Sequence, residues 1–312
     1  MKAIRLHSYH VPEGLSYEEA PTPVINPDQV LVRIYATSVN HLEVAIAQDK
    51  MQGSMPVTLP WIPGFDLAGV VEKTGENVRD FTPGQEVYAK TTGGTYTEYI
   101  ALSPSDLAPR PSTLSFVESA SVPHVGLTAW QALYEHGQLR SGQKVLIHGA
   151  AGGVGSFAVQ FAKNSGAFVY ATASARDRSF LSHLHADEFI DYKNEDFTTI
   201  VRDADLVIDL VGGETQLQSY HVLKENGRLV TTTGPAKGGD KPAHITFIPM
   251  VVHPDGNALR AIATRIEQRK VICDIAQVYS LEQTKQAWAT FLHQTPESRT
   301  FTHGKIILDI HP

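Results

Sequence analysis

The stretch that decides the fold is "HGAAGGVGSFAVQ", residues 148–160. Four glycines and two alanines fall within residues 149–155, and an apolar helical pattern starts straight after them. A short apolar run, "KVLIHG", leads into the turn. Strand, small-residue turn and helix together present bare backbone amides to an anion, because a helix N-terminus carries unpaired N–H groups and the positive end of the helix dipole. A GxGxxG pattern maps onto Ala150, Gly152 and Gly155, with Ala in the first place. Such glycines serve a tight turn, a close approach of backbone to pyrophosphate, and a close helix–strand contact. Gly152 and Gly155 suit the last two, and Ala150 is expected to turn without a positive φ. The backbone at Ala151, Gly152, Gly153 and Val154 is the expected dinucleotide cradle. A glycine-rich turn without a ligand is the alternative, and the flanking strands and helices argue against it. No Gly-Lys-Ser/Thr ends the stretch, so an ATPase-type phosphate loop is disfavoured.

Working outward, "FVYATA", "EFIDY", "ADLVIDLVG" and "GRLVTTTG" alternate with helical patterns. These runs are nearly all apolar, as strands covered on both faces should be, and strand alternating with helix predicts a parallel sheet. The first third reads differently. "QVLVRIYATSVN" (29–40) and "LAGVVEKTG" (67–75) are bounded by turn signals such as "INPD" and "TPGQ", which predicts a compact β domain or barrel. Residues 118–137, "ESASVPHVGLTAWQALYEHG", read as one helix. Beyond Pro254, "DGNALRAIATRIEQRK" and "SLEQTKQAWATFLHQ" predict two helices, and "GKIILDI" a last strand.

The chain has 312 residues and a net charge of −7, with 42% apolar and 19% charged residues, which suits two soluble domains. No basic face is available for nucleic acid. No run approaches the roughly 18 apolar residues that cross a bilayer, and the start lacks an apolar signal-peptide core, so no membrane association and a cytoplasmic location are expected. The single cysteine, Cys273, excludes an intramolecular disulfide and a cysteine-based zinc site.

An acidic residue about 20 positions past the turn normally holds the ribose 2′-hydroxyl of NAD. Here that place holds Ser174, followed by Arg176 and Arg178 in "ATASARDR". A hydroxyl beside guanidinium suits a 2′-phosphate, which predicts NADPH as cofactor. The alternative is that the arginines are solvated helix-start charges, with Asp177 between them.

Six stretches carry a family resemblance: "ATSVNHLEV" (36–44), "IPGFDLAGVV" (62–71), "GGTYTEYI" (93–100), "GLTAWQAL" (126–133), "VLIHGAAGGVG" and "GKIIL". Together they span almost the whole chain, which resembles a medium-chain dehydrogenase/reductase of the zinc-independent, zeta-crystallin-like quinone oxidoreductase type. The resemblance implies an α/β fold: a Rossmann-type doubly wound parallel sheet with a GroES-like β-barrel catalytic domain. Residues 1–124, completed by 255–312, would form the GroES-like domain, and 125–254 the Rossmann domain. The cofactor would lie in the cleft between them. A homodimer or homotetramer is implied. Zinc-dependent relatives hold their metal with Cys, His and Cys, and the matching positions here are Asn40, Phe65 and His124. Asn and Phe cannot form that site.

The implied activity is zinc-free hydride transfer from NADPH to a quinone or an α,β-unsaturated carbonyl, whose developing charge hydrogen bonds can meet. Asn40 is the candidate catalytic residue, its amide donating to that charge; a loop Asn bonding its own backbone is the alternative. Glu43 is expected to fix the loop. Ala45 stands where several members carry a Tyr, which leaves the proton donor open. Thr128 matches a position near the nicotinamide ribose, and Tyr192 one near the 2′-phosphate. Gly234, in "TTTGPAKGG" (231–239), is expected at the nicotinamide end, with a mobile surface loop as the alternative. A metal-free alcohol or carbonyl dehydrogenase, and a nucleotide-binding sensor or structural protein with little turnover, stay open as alternatives. "YHVLK" offers the Tyr220–Lys224 pair of a short-chain dehydrogenase, but the glycine turn lies too far along the chain for that family.

Overall fold

The computed structural model describes residues 1–239, 241–294 and 303–311. Two compact units emerge, one made of Met1–Leu127 with His253–Pro312 and the other of Thr128–Val252. In chain order the elements are β1 (Lys2–Leu6), β2 (Leu15–Glu19), β3 (Val30–Ser38), α1 (His41–Ala47), β4 (Asp66–Thr74), β5 (Glu86–Lys90), β6 (Tyr99–Leu102), β7 (Leu107–Pro109), α2 (Phe116–Ala120) and α3 (Pro123–Trp130). Then follow β8 (Lys144–His148), α4 (Gly153–Asn164), β9 (Phe168–Ala173), α5 (Arg178–His183), β10 (Glu188–Asp191), α6 (Phe197–Ile200), β11 (Ala204–Asp209), α7 (Gly213–Ser219), β12 (Leu223–Thr231) and β13 (Thr246–Pro249). The chain closes with α8 (Gly256–Glu267), β14 (Ile275–Ser280), α9 (Thr284–Phe291) and β15 (Lys305–Asp309).

The Thr128–Val252 unit is built on one six-stranded sheet in the order β10-β9-β8-β11-β12-β13. Every pairing in it is parallel. Val145, Leu146, Ile147, Val207 and Ile208 are all buried, as β-branched and leucine side chains on strands covered from both sides must be. The strand order reverses direction between β8 and β11, and in such sheets ligands collect where the carboxyl ends of the strands diverge. The expected strands are all present. The sixth, β13, lies within "HITFIPM", a run too short and too broken by proline to read as a strand.

In the other unit a seven-stranded sheet runs β14-β15-β3-β4-β5-β7, with β6 also on β3, and β1 and β2 form a hairpin. Its central strand alternates buried and half-buried residues from Val30 to Tyr35. The closing strand β15 pairs antiparallel with β3 through Ile307–Ser38 and Leu308–Thr37. Trp288 on α9 packs fully buried with Ile4, Leu6, Val44 and Leu308, so the two ends of the chain share one core.

One expectation is corrected. Residues 118–137 form three pieces, not one helix. Proline lacks an N–H and suits a helix's first turn, so Pro123 starts α3 afresh after α2. After Trp130 the helix widens, and the Gly137 N–H donates to Ala132 O, five residues back, at 2.9 Å. No helix among the described residues is long and apolar enough to cross a membrane.

Candidate functional site

At the glycine turn, the left-handed residue is Gly149 (φ 69°), one position before the GxGxxG pattern. Ala150 keeps negative φ, as expected, and is fully buried. A Cβ on Gly155 would overlap Gly149 O and the Ala150 backbone, so this glycine lets α4 lie against the end of β8. Gly152 caps α4, and its own N–H donates to Gly149 O at 3.1 Å, so the turn consumes that amide. Gly153 and Val154 open α4, where no carbonyl one turn earlier in the helix meets an N–H.

Strand β9 delivers Ser174, nearly buried, at the same carboxyl edge. Arg176 follows with its side chain 61% exposed, its Nε 4.0 Å from Asp177 Oδ2. Asp177 is buried, turned away from solvent. Arg178 is engaged elsewhere, its guanidinium 4.2 Å over the Phe189 ring. Tyr192 donates its backbone N–H to Ala173 O at 3.2 Å, which sets it beside Ser174, and the residue is 59% exposed. Asp191 shapes this corner by accepting from Asn194 Nδ2 at 2.6 Å and from the Lys193 amide at 3.3 Å. Those bonds, Asn194's first, hold its carboxyl below the usual range. Lys193 then lies with Nζ 5.9 Å over the Tyr192 ring. The sequence reading missed Lys193, although its adjacency to Tyr192 was a usable signal.

Past β12, Gly234 adopts φ 77° with open space where a Cβ would stand. Gln216 ties this loop down, donating to Gly234 O at 2.9 Å and to Asp209 Oδ2 at 2.7 Å while accepting from the Ala236 amide at 2.6 Å. Neither Gln216 nor Asp209 was legible as a loop anchor, since the Gly234 loop reaches them only through the pairing of β11 with β12. Thr128 is buried within α3.

The unit that contains both chain ends holds a buried polar cluster. Asn40, 4% exposed, caps α1. Its Nδ2 donates to Asp66 Oδ2 at 2.8 Å and approaches Glu43 Oε1 at 3.4 Å, while its backbone N–H donates to Glu43 Oε1 at 2.7 Å. The structural role expected of Glu43 is therefore visible as a capping box. Tyr96 OH also donates to Glu43, at 3.2 Å, and Glu43 Oε2 has no hydrogen-bond partner. Burial pushes the Glu43 carboxyl up to about 8, against the pull of the Lys305 charge. Asp66 accepts from Ser38 Oγ at 2.5 Å and from the His124 backbone N–H. Lys305 Nζ donates to Val39 O at 2.7 Å and to Asn40 Oδ1. Asp66, Tyr96 and Lys305 were not singled out from the sequence, although "PGFD", "GGTYTEY" and "GKIIL" contain them.

Phe65 and His124 sit with ring centroids 5.9 Å apart. Burial first, then the Lys305 and Lys90 charges, keep the His124 imidazole well below its usual value. A phenyl ring and an amide already bound on both sides offer no metal donor set. No group of three or more His, Cys, Asp or Glu among the described residues is arranged to hold an ion.

A parallel sheet with a glycine turn opening a helix at its switch point is the arrangement of a dinucleotide-binding unit. Residues 26–112 match the family described as "Alcohol dehydrogenase GroES-like domain", and 184–308 that described as "Zinc-binding dehydrogenase". The chain is 30% identical to a chloroplast envelope quinone oxidoreductase homolog of Arabidopsis thaliana, over 99% of this chain and 98% of that one. It is 33% identical to the same plant's chloroplastic NADPH-dependent alkenal/one oxidoreductase, over 80% of this chain and 64% of that one. Among solved structures, the quinone oxidoreductase from Coxiella burnetii superposes with a TM-score of 0.88 at 29% identity, covering 100% of this chain and 99% of that one. The protein belongs to the medium-chain dehydrogenase/reductase superfamily and, within it, to the zinc-independent quinone oxidoreductase family.

Proposed function

We propose that the protein is an NADPH-dependent reductase of quinones or α,β-unsaturated carbonyls. The observation that carries this reading is the gathering of Ser174, Arg176, Tyr192 and Lys193 at the carboxyl edge of the sheet that also bears the glycine turn, with no acidic side chain ending β9. The Cβ-excluding contact at Gly155 and the open amides at the start of α4 fit a pyrophosphate.

When bound, the nicotinamide coenzyme supplies the hydride. The Gly153 and Val154 amides hold its pyrophosphate, with Ala151 and Gly152 keeping the approach free of large side chains. Ser174, Arg176, Tyr192 and Lys193 take the 2′-phosphate through charge-assisted hydrogen bonds. Thr128 and Gly234 border the nicotinamide half. Asn40 donates a hydrogen bond from its amide to the acceptor oxygen as charge gathers there, and water supplies the proton that completes the reduction: one amide hydrogen is committed to Asp66, and the other is only weakly held, at 3.4 Å from Glu43. A quinone or enone spreads that charge over several atoms, so it needs no Lewis acid.

Calorimetry with NADPH and NADH tests the cofactor assignment. Arg176→Ala is expected to weaken NADPH by about tenfold or more while leaving NADH within about twofold; equal losses would remove the 2′-phosphate role. Following absorbance at 340 nm with a panel of quinones and enones tests the activity. Tight NADPH binding with no oxidation by any acceptor would overturn the reductase assignment.

A further inference from the structure

We propose that Lys305 is a positioning residue for Asn40: its ammonium fixes which way the Asn40 amide points and strengthens the amide hydrogens as donors to the substrate oxygen. This rests on the reductase reading above, in which Asn40 meets that oxygen.

Lys305 opens β15 and is only 7% exposed. Its place follows from strand pairing: the Val39 N–H donates to Ile306 O at 2.9 Å, which holds the start of β15 against the end of β3. From there Nζ reaches Asn40 Oδ1 and, at 2.7 Å, Val39 O. On the far side of the same amide, Nδ2 donates to Asp66 Oδ2 at 2.8 Å. Cation, amide and carboxylate thus form a row inside the β unit. A flipped amide would aim its NH2 at the ammonium and its oxygen at the carboxylate, and both contacts would become repulsive. One orientation survives.

The row does more than orient. Hydrogen bonds in series polarise one another, and a cation on the carbonyl oxygen draws electron density from the amide nitrogen, sharpening its N–H groups. Asp66 takes one of these hydrogens. The second has only the long Glu43 contact, so the strengthened donor is the one left for substrate. A buried charge loses its hydration, a cost that an apolar side chain of the same size does not carry, so packing alone does not call for a lysine here.

The test uses the full-length protein with Lys305→Met and Lys305→Gln. Asn40 is followed by NMR after selective 15N-asparagine labelling, beside thermal unfolding, NADPH calorimetry and steady-state reduction of quinones and enones. In Lys305→Met, kcat is expected to fall at least about tenfold, with the KM for substrate and NADPH affinity within about threefold. The Asn40 side-chain amide signals should move and exchange faster. Lys305→Gln can still donate to Oδ1, without the charge, and should recover part of both. Unchanged kcat with unchanged Asn40 signals overturns the proposal. So does a loss of activity that merely tracks the melting temperature, equally in both variants. If Lys305→Met does not fold, Lys305→Met combined with Asp66→Asn removes both charges and carries the same measurements. Wild-type protein that binds NADPH yet reduces nothing removes the reductase reading alone; the Asn40 signals then decide the positioning by themselves.

Discussion

Glu43 is the residue whose chemistry is most altered by its surroundings. It is fully buried, accepts three hydrogen bonds on one oxygen and none on the other, and burial raises its carboxyl from 4.5 to about 8. In the unfolded chain the same group ionises near 4.5, so between 4.5 and 8 the unfolded state sheds a proton that the native state keeps. Glu43 therefore makes stability fall as pH rises through that window, with the full effect reached above 8. Glu43→Gln removes the titration and retains an acceptor oxygen for Asn40 and Tyr96. Relative to wild type, the variant is expected to gain at least about 1 kcal/mol between pH 5 and pH 8, read from urea unfolding at both values. Burying the amide adds a constant offset that leaves this slope untouched. A difference between the two proteins that does not vary with pH would sink the claim.

At the scale of elements, the strand–turn–helix of β8 and α4 depends on one missing methyl group. Alanine normally favours a helix interior over glycine by about 1 kcal/mol. At Gly155 the sign reverses, because a Cβ would overlap Gly149 O and Ala150. Gly155→Ala is expected to lower stability by about 1–3 kcal/mol and to weaken NADPH about tenfold or more, by pushing the start of α4 away from the turn. Thermal unfolding and calorimetry measure the two effects, and a stabilised variant with full NADPH affinity would contradict the close packing. This element was readable from the chain because its signals are local: a buried apolar strand, small residues at set spacing, and an apolar helix. The break at Pro123 and the widened turn after Trp130 were less readable, since apolar spacing continues unbroken across both.

At the scale of the molecule, the β unit is closed by the end of the chain. β15 lies between β14 and β3, and Tyr279, Trp288, Ile306 and Leu308 fill the same core as Ile4, Leu6 and Val44. A chain stopped at Val252 loses those four side chains, exposes an edge of β3 and removes Lys305 from Asn40. Such a chain is expected to lose hydrogen-exchange protection throughout residues 1–127 while the β8–β12 sheet retains its own. Protection of β3 and β4 equal to that in the full chain would show that the β unit closes without its last strand.

The sequence by itself determined the parallel sheet, the glycine turn and the candidates Ser174 and Arg176, because strand burial, helix start and turn chemistry are written in neighbouring residues; Tyr192 it offered only through the family resemblance. It also singled out Asn40, through a motif, but not what surrounds that side chain. Only the tertiary structure brought Lys305, 265 residues away, to the Asn40 amide, with Asp66 on its other side. Likewise it turned Asp177 inward and tied the Gly234 loop to Asp209 through Gln216. The physical reason is that an amide's orientation and a carboxyl's charge depend on what the folded chain packs against them, and no local pattern encodes a partner that arrives by strand pairing.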